Sequence, residues 1–399
     1  MPFHRRGFLG RIFSGSAALS AAAPSPVPAP FETPDLGKLQ PRLTDGVKEF
    51  QLTAEVVTAE IAPGRMLTAW GYNGSVPGPT MEVNEGDRVR VVFRNHLPEP
   101  TAVHWHGFEV PHTQDGSVGL GQDPTPPGGT HIYEFTLNQT NTCFYHSHFP
   151  MQEMMGAIGF FLIHPRRPAV PRVDRDYGLI LQEWDLRPNN PVPNSLAMEF
   201  NWLTFNGKSG PDCTPMVVRQ GERVRIRLLN MGMDHHPVHL HGFQFMMTAT
   251  EGGRLPEALW YPQNTVLVGV AQVREIEFEA KYLGEWMLHC HLPHHMMNNM
   301  FPMAGPMSHG AGHWPQDDAE RKKVPGYPQD MWMPDDDPYS HKPENFGLRR
   351  SWSAAMGGMM TLLRVVTPET YAKIEELRRN PPPRKAPSNP HEHHQGGAK

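Results

Sequence analysis

Four residues that recur at one fixed spacing constrain this chain most. Gly86 and Gly221, Asn95 and Asn230, His104 and His239, and Phe108 and Phe243 each stand 135 positions apart. Around them, NGSVPGPTMEVNEGDRVRVVFRN leads to HWHGF at His104, and NGKSGPDCTPMVVRQGERVRIRLLN leads to HLHGF at His239. Identities at a single offset mean two tandem copies of one fold. Within the copies, GDRVRVVF and GERVRIRLL alternate apolar with charged residues, the pattern of a strand buried on one face. Each copy is therefore expected to be a small antiparallel sandwich or barrel of roughly 130 residues. The first copy should end near Pro165 and the second near Pro302. The 43 prolines disfavour a helical bundle and suit short strands joined by turns.

A length of 399 residues suits two domains plus tails. The formal net charge of −5 gives no basic field for nucleic acid. Three cysteines exclude a disulfide scaffold, whereas 23 His and 23 Met raise the question of a transition metal. The start, Arg5-Arg6-Gly7-Phe8-Leu9-Gly10 followed by a weakly apolar run to Ala23, reads as a secretory signal of the twin-arginine type over residues 1–23. The run is shorter than the roughly 20 residues a spanning helix needs. A periplasmic or secreted protein with no stable membrane anchor is thus expected. Residues 24–44 read as a Pro- and Ala-rich linker, 45–167 as the first domain, 168–305 as the second and 306–399 as a C-terminal extension. In that extension Ser351–Val366 is expected to be helical. A further helix should start with Thr367 as N-cap and Pro368 at N1 and run to about Arg379.

The first copy holds His104, His106, His146 and His148. The second holds His236, His239, His241, His289, Cys290 and His291, followed by His295 and Met300. Side chains alternate faces along a strand. His104 with His106, His146 with His148, His239 with His241 and His289 with His291 then form four same-face pairs, eight imidazoles in all. Cys290 must point away from its two histidine neighbours, and the odd spacing between His236 and His239 lets His236 do the same. Two His, a Cys thiolate and a distant Met thioether are the ligand set of a blue-copper centre. In the first copy the counterparts of His236, Cys290, His295 and Met300 are Thr101, Ser147, Gln152 and Ala157. The thiolate-bearing site therefore occurs once, in the second copy, while the histidine pairs occur in both.

HWHG, HSH, HPVHLH and HCHLPHHMMNNM, in this order, resemble the four copper-binding motifs of two-domain, laccase-like multicopper oxidases over roughly residues 45–305. The resemblance implies two cupredoxin-like Greek-key β-sandwiches, an all-β fold with a partly helical C-terminal extension. It implies about four coppers per chain. Type 1 copper would sit on Cys290, His236, His295 and Met300. Type 2 would sit on His104 and His239, and the type 3 pair on His106, His146, His148, His241, His289 and His291. It further implies one-electron oxidation of a phenolic or metal-ion reductant, reduction of O₂ to water, and a head-to-tail homotrimer that brings a first copy against a second. Cys290, joined covalently to His289 and His291, would be the electron path. Asp115, in QDG, occupies the place of a proton-relaying carboxylate in similar oxidases, although Asp-Gly is also an ordinary turn signal. Some similar oxidases carry a second carboxylate directly after the last type 1 histidine; here that position is Met296. A methionine axial ligand implies a low or middling type 1 potential.

Met151, Met154, Met155, Met296, Met297, Met303 and Met307 read as adaptable packing more readily than as Cu(I) docking sites. His96, His112, His131, His164, His235 and His294 read as surface or structural residues. Cys143 and Cys213 could pair or remain separate thiols. The alternatives are a two-domain copper nitrite reductase, a cuprous or other metal-ion oxidase in copper tolerance, and a non-catalytic cupredoxin-like protein.

Overall fold

A computed structural model describes residues 29–149, 151–187, 190–196, 198–296, 342–349, 352–355 and 357–381. The signal segment, Met297, Met300, Met303, Met307 and the His391–His394 tail lie outside the described residues. Among the described residues the regular structure is mostly β-strand with little helix, arranged as two cupredoxin-like copies.

In the first copy one sheet orders Met81–Asn84, Ile158–His164, Thr142–Ser147 and Val103–His106. The facing sheet orders Arg42–Thr44, Val47–Ala62, Arg88–Asn95 and Thr130–Thr136, with Arg65–Tyr72 paired to the long second strand. Phe50, Leu52, Val91, Phe93, Trp105, Tyr133 and Phe161 fill the space between them. Burying each of these large side chains contributes roughly 1.5–3 kcal/mol.

The second copy repeats the plan. Met216–Arg219, Met360–Val366, Gly284–Cys290, His236–Leu240 and Thr265–Val268 form one sheet. Arg175–Trp184, Arg223–Asn230, Val273–Glu279 and Phe245–Thr250 form the body of the other. The sheets are mixed, where antiparallel sandwiches were expected. Met81–Asn84 runs parallel to Ile158–His164, and Met216–Arg219 runs parallel to Met360–Val366.

The recurring asparagines perform one task twice. Asn95 donates to the carbonyls of Glu99 and Thr125 and accepts the Leu97 N–H. Asn230 donates to the carbonyls of Asp234 and Val268 and accepts the Gly232 N–H. Each side chain fastens the loop that leads into its histidine strand.

Three expectations need correction. Met360–Val366 is a strand, not part of a helix; it pairs antiparallel with Gly284–Cys290. It fills the place of Ile158–His164 in the first copy, so the second sandwich closes well beyond Pro302. Every position of this strand is buried, Thr361 and Arg364 included, as in a central strand covered on both faces. The linker reading also fails for residues 29–44. Phe31–Glu32 pairs with Arg175–Trp184 of the second copy, and Phe31 is buried against Phe160, ring centroids 5.7 Å apart. Finally, Arg223–Asn230 is not half-buried. Its predicted outer face is covered by the first copy, Leu229 and Ile180 clustering with Phe144 and Phe160. Arg225 and Arg227 are buried there with Asp176, Glu275 and Glu277, and Arg227 also donates to Thr142 of the first copy.

The helix Pro368–Arg379 forms as expected, the Thr367 hydroxyl accepting the Thr370 N–H at 3.3 Å. Cys143 and Cys213 are buried, separate thiols. No helix among the described residues is long and apolar enough to cross a membrane.

Candidate metal centre

The two histidine strands of each copy pair in one register. His104 lies opposite His146 and Val103 opposite Ser147. His239 lies opposite His289 and Val238 opposite Cys290. Directly opposed residues share a face. The rings therefore stand on one side of the sheet, and Cys290 joins Val238 in the core on the other.

On the ring side of the first copy, the His104 ring centroid is 5.6 Å from that of His106, 5.3 Å from His146 and 5.1 Å from His148. In the second copy the His239 centroid is 5.0 Å from His241, 5.6 Å from His289 and 5.5 Å from His291. Among the described residues, no ring contact joins one quartet to the other, and His106 also stacks on Phe144, ring centroids 4.1 Å apart. His148, His241 and His291 are exposed, so both quartets open to the surface.

Neighbouring groups orient the rings. His104 Nδ1 donates to the Asp115 carbonyl oxygen at 2.8 Å, with the Asp115 carboxylate 3.5 Å away. His239 Nδ1 lies 2.7 Å from the Asn264 carbonyl oxygen. His146 Nδ1 is 2.8 Å from the Ser147 carbonyl oxygen and 3.0 Å from Glu153 Oε2. These contacts leave the Nε2 atoms free to ligate, and His241 Nε2 meets His289 Nε2 at 3.0 Å. Burial, together with the neighbouring charges of His146 and His104, pushes the His106 pKa down to about 4, so the ring is a neutral donor near pH 7.

On the core side, Cys290 Sγ lies 3.6 Å from His236 Nδ1 and 3.4 Å from His295 Nδ1, and the two nitrogens are 3.1 Å apart. All three residues are buried. Burial pushes the Cys290 thiol up to about 12 and, with His236 and His294 nearby, the His295 imidazole down to about 4. Three converging donors, one a thiol and two imidazoles, fit a copper ion, which would displace the thiol proton.

In the first copy the corresponding place is filled by hydrogen bonds. Thr101 Oγ1 and Ser147 Oγ are 3.0 Å apart, Ser147 Oγ donates to Gln152 Oε1 at 2.7 Å, and Gln152 Nε2 donates to the Pro100 carbonyl at 2.9 Å. Ala157, the counterpart of Met300, is buried.

Among the remaining histidines, His164 pairs with Glu82 at 2.8 Å and His235 accepts the Val270 N–H at 3.1 Å. His294 is exposed, but with Asp234 and His295 it offers three donor atoms within 4.8 Å of one another. Met296 packs against the buried cluster of Met360 and Leu362, as Met287 and Trp352 do. Glu153, Glu183 and Asn264 carried no local signal in the sequence; each reaches its histidine from a separate segment or loop.

Residues 53–168 match a multicopper oxidase family model, and residues 185–303 match a second one. The chain belongs to the multicopper oxidase family. It is 32% identical over 173 residues to copper resistance protein A of Pseudomonas syringae pv. tomato, covering 43% of this chain and 28% of that protein. It is 30% identical over 265 residues to laccase-2 of Botryotinia fuckeliana, covering 59% and 44%. The chain thus spans less than half the length of these curated relatives. Among solved structures, the blue copper oxidase from Nitrosomonas europaea superposes with a TM-score of 0.61 at 25% identity, covering 80% of this chain and 86% of that one.

Proposed function

We propose that this chain is a laccase-like oxidase that couples one-electron oxidation of a phenolic, aromatic or metal-ion reductant to the four-electron reduction of O₂ to water. Copper, about four ions per chain, would supply the redox steps. Cys290, His236 and His295, with Met300, are the proposed type 1 ligands. His104 and His239 are the proposed type 2 ligands; His106, His146, His148, His241, His289 and His291 are the proposed type 3 ligands. The observation that carries this reading is the strand register: His239 and His289 face one way while Cys290, between His289 and His291, faces the other.

The protein's own groups then have defined tasks. The peptide links from Cys290 to His289 and His291 join the two sites by the shortest covalent route. Asp115, whose carboxylate lies 3.5 Å from His104 Nδ1, is the proposed proton-relaying residue or hydrogen-bond partner of the ring quartet. Imidazole ligands would bring no charge of their own to the metals and would leave coordination positions open for O₂.

Each quartet supplies four of the eight rings and opens to the surface. A homotrimer, with the first quartet of one chain against the second quartet of the next, would complete three clusters through a heterologous interface that closes. Sedimentation tests this: a trimer is expected, and a monomer that still reduces O₂ would refute it. Export by the Arg5-Arg6 leader to the periplasm or outside the cell completes the proposal.

A second reading, oxidation of Cu(I) in copper tolerance, draws support from the similarity to copper resistance protein A. Oxygen uptake with a phenol, Cu(I), Fe(II) and Mn(II) side by side separates the two. Nitrite turnover without O₂ uptake would instead favour a nitrite reductase.

A further inference from the structure

Glu183 lies at the end of the strand Arg175–Trp184, and its side chain is completely buried. A buried carboxylate is costly unless a cation or several donors face it. Three donors do. Its Oε1 accepts the Met233 and Asp234 N–H groups, both at 2.6 Å. Its Oε2 lies 2.8 Å from His236 Nε2. Among the described residues no lysine or arginine pairs with it; His236 is its one ionisable partner. The chain makes room for this carboxylate: a Cβ on Gly232 would sit 2.0 Å from Glu183 Oε2.

We propose that Glu183 is the positioning residue of the type 1 centre, holding the proton of His236 on Nε2 and placing a fixed negative charge behind that ring. The proposal rests on the reading that His236, Cys290 and His295 ligate copper. An ionised carboxylate only accepts, so the nitrogen facing it must carry the hydrogen. Nδ1 is then left with its lone pair aimed at Cys290 Sγ and His295 Nδ1. Such outer contacts fix the tautomer and ring orientation of a ligating histidine and raise its basicity. The charge also acts on the redox balance. A fixed anion one ring away stabilises Cu(II) more than Cu(I), so Glu183 lowers the type 1 potential. A neutral amide cannot replace it, because glutamine has one acceptor oxygen for three converging donors.

The test uses the full copper-loaded protein and compares wild type, Glu183→Gln and Glu183→Asp. Type 1 absorption and electron paramagnetic resonance show whether the site is filled, and redox titration of the blue band reads its potential. In Glu183→Gln the blue band should persist, with the Cu(II)/Cu(I) equilibrium moved about tenfold toward Cu(I), which is about 59 mV for a one-electron couple. Glu183→Asp keeps the charge and both acceptors, so it should stay much closer to wild type. A blue Glu183→Gln protein with unchanged potential overturns the role of Glu183 and leaves the oxidase reading standing. A wild type that binds copper without any blue band overturns the oxidase reading itself. If Glu183→Gln does not fold, nuclear magnetic resonance of the wild-type Cu(I) form decides. A slowly exchanging His236 Nε2–H supports the proposal, and copper bound at Nε2 defeats it.

Discussion

The hydroxyls of Thr101 and Ser147 meet at 3.0 Å inside the first copy, at the positions that His236 and Cys290 hold in the second. One copy closes this place with hydrogen bonds, and the other lines it with a thiol and two imidazoles. Ser147→Ala removes the centre of that network, leaving the Thr101 hydroxyl and the Gln152 carbonyl oxygen without their shared partner. A loss of about 1–3 kcal/mol in urea denaturation is expected, with the blue absorption unchanged. Unaltered stability would show that the network contributes nothing.

Cys290→Ser keeps the size of the side chain and removes the soft donor. The variant should fold, lack the blue colour and lose turnover. Full oxygen uptake by this protein would overturn the assignment of Cys290.

Leu363 is completely buried in the strand that closes the second sandwich. Leu363→Ala should cost about 2–5 kcal/mol, read by chemical denaturation. A small effect would mean that Met360–Val366 is peripheral to the fold rather than its last strand.

Glu277 gives the fold a pH dependence. Burial alone would raise its pKa. Hydrogen bonds from Arg254 and Arg223 and the charges of Arg225 and Arg254 more than reverse this, bringing it down to about 2. The folded pKa lies below the unfolded value of 4.5, so this stabilisation is present above pH 4.5 and fades as pH falls toward 2. Glu277→Ala leaves several arginines facing an empty place and should cost about 3–5 kcal/mol at pH 7. The difference between variant and wild type should shrink on acidification; a constant difference would contradict the ion-pair account.

The duplication, the ring pairs and the opposite aim of Cys290 were legible because strand alternation has a period of two and the copies share one offset. The matched counterparts Thr101, Ser147 and Gln152 were legible for the same reason. Met360–Val366 was not. It shares no motif with Ile158–His164, and a long insertion separates it from the strand it pairs with. Its Met- and Ala-rich surroundings mimic a helix. Arg225 and Arg227 looked solvent-facing because a sequence pattern does not reveal that another domain will cover the face. Glu183 is 53 positions from His236, and only the packing of two sheets joins them.

Anomalous scattering at the copper edge from crystals of the copper-loaded protein tests the central claim most directly. One peak is expected among Cys290 Sγ, His236 Nδ1 and His295 Nδ1, and three more between the first histidine quartet of one chain and the second quartet of its neighbour. No peak at Cys290, or quartets that never share a metal cluster, would contradict the account.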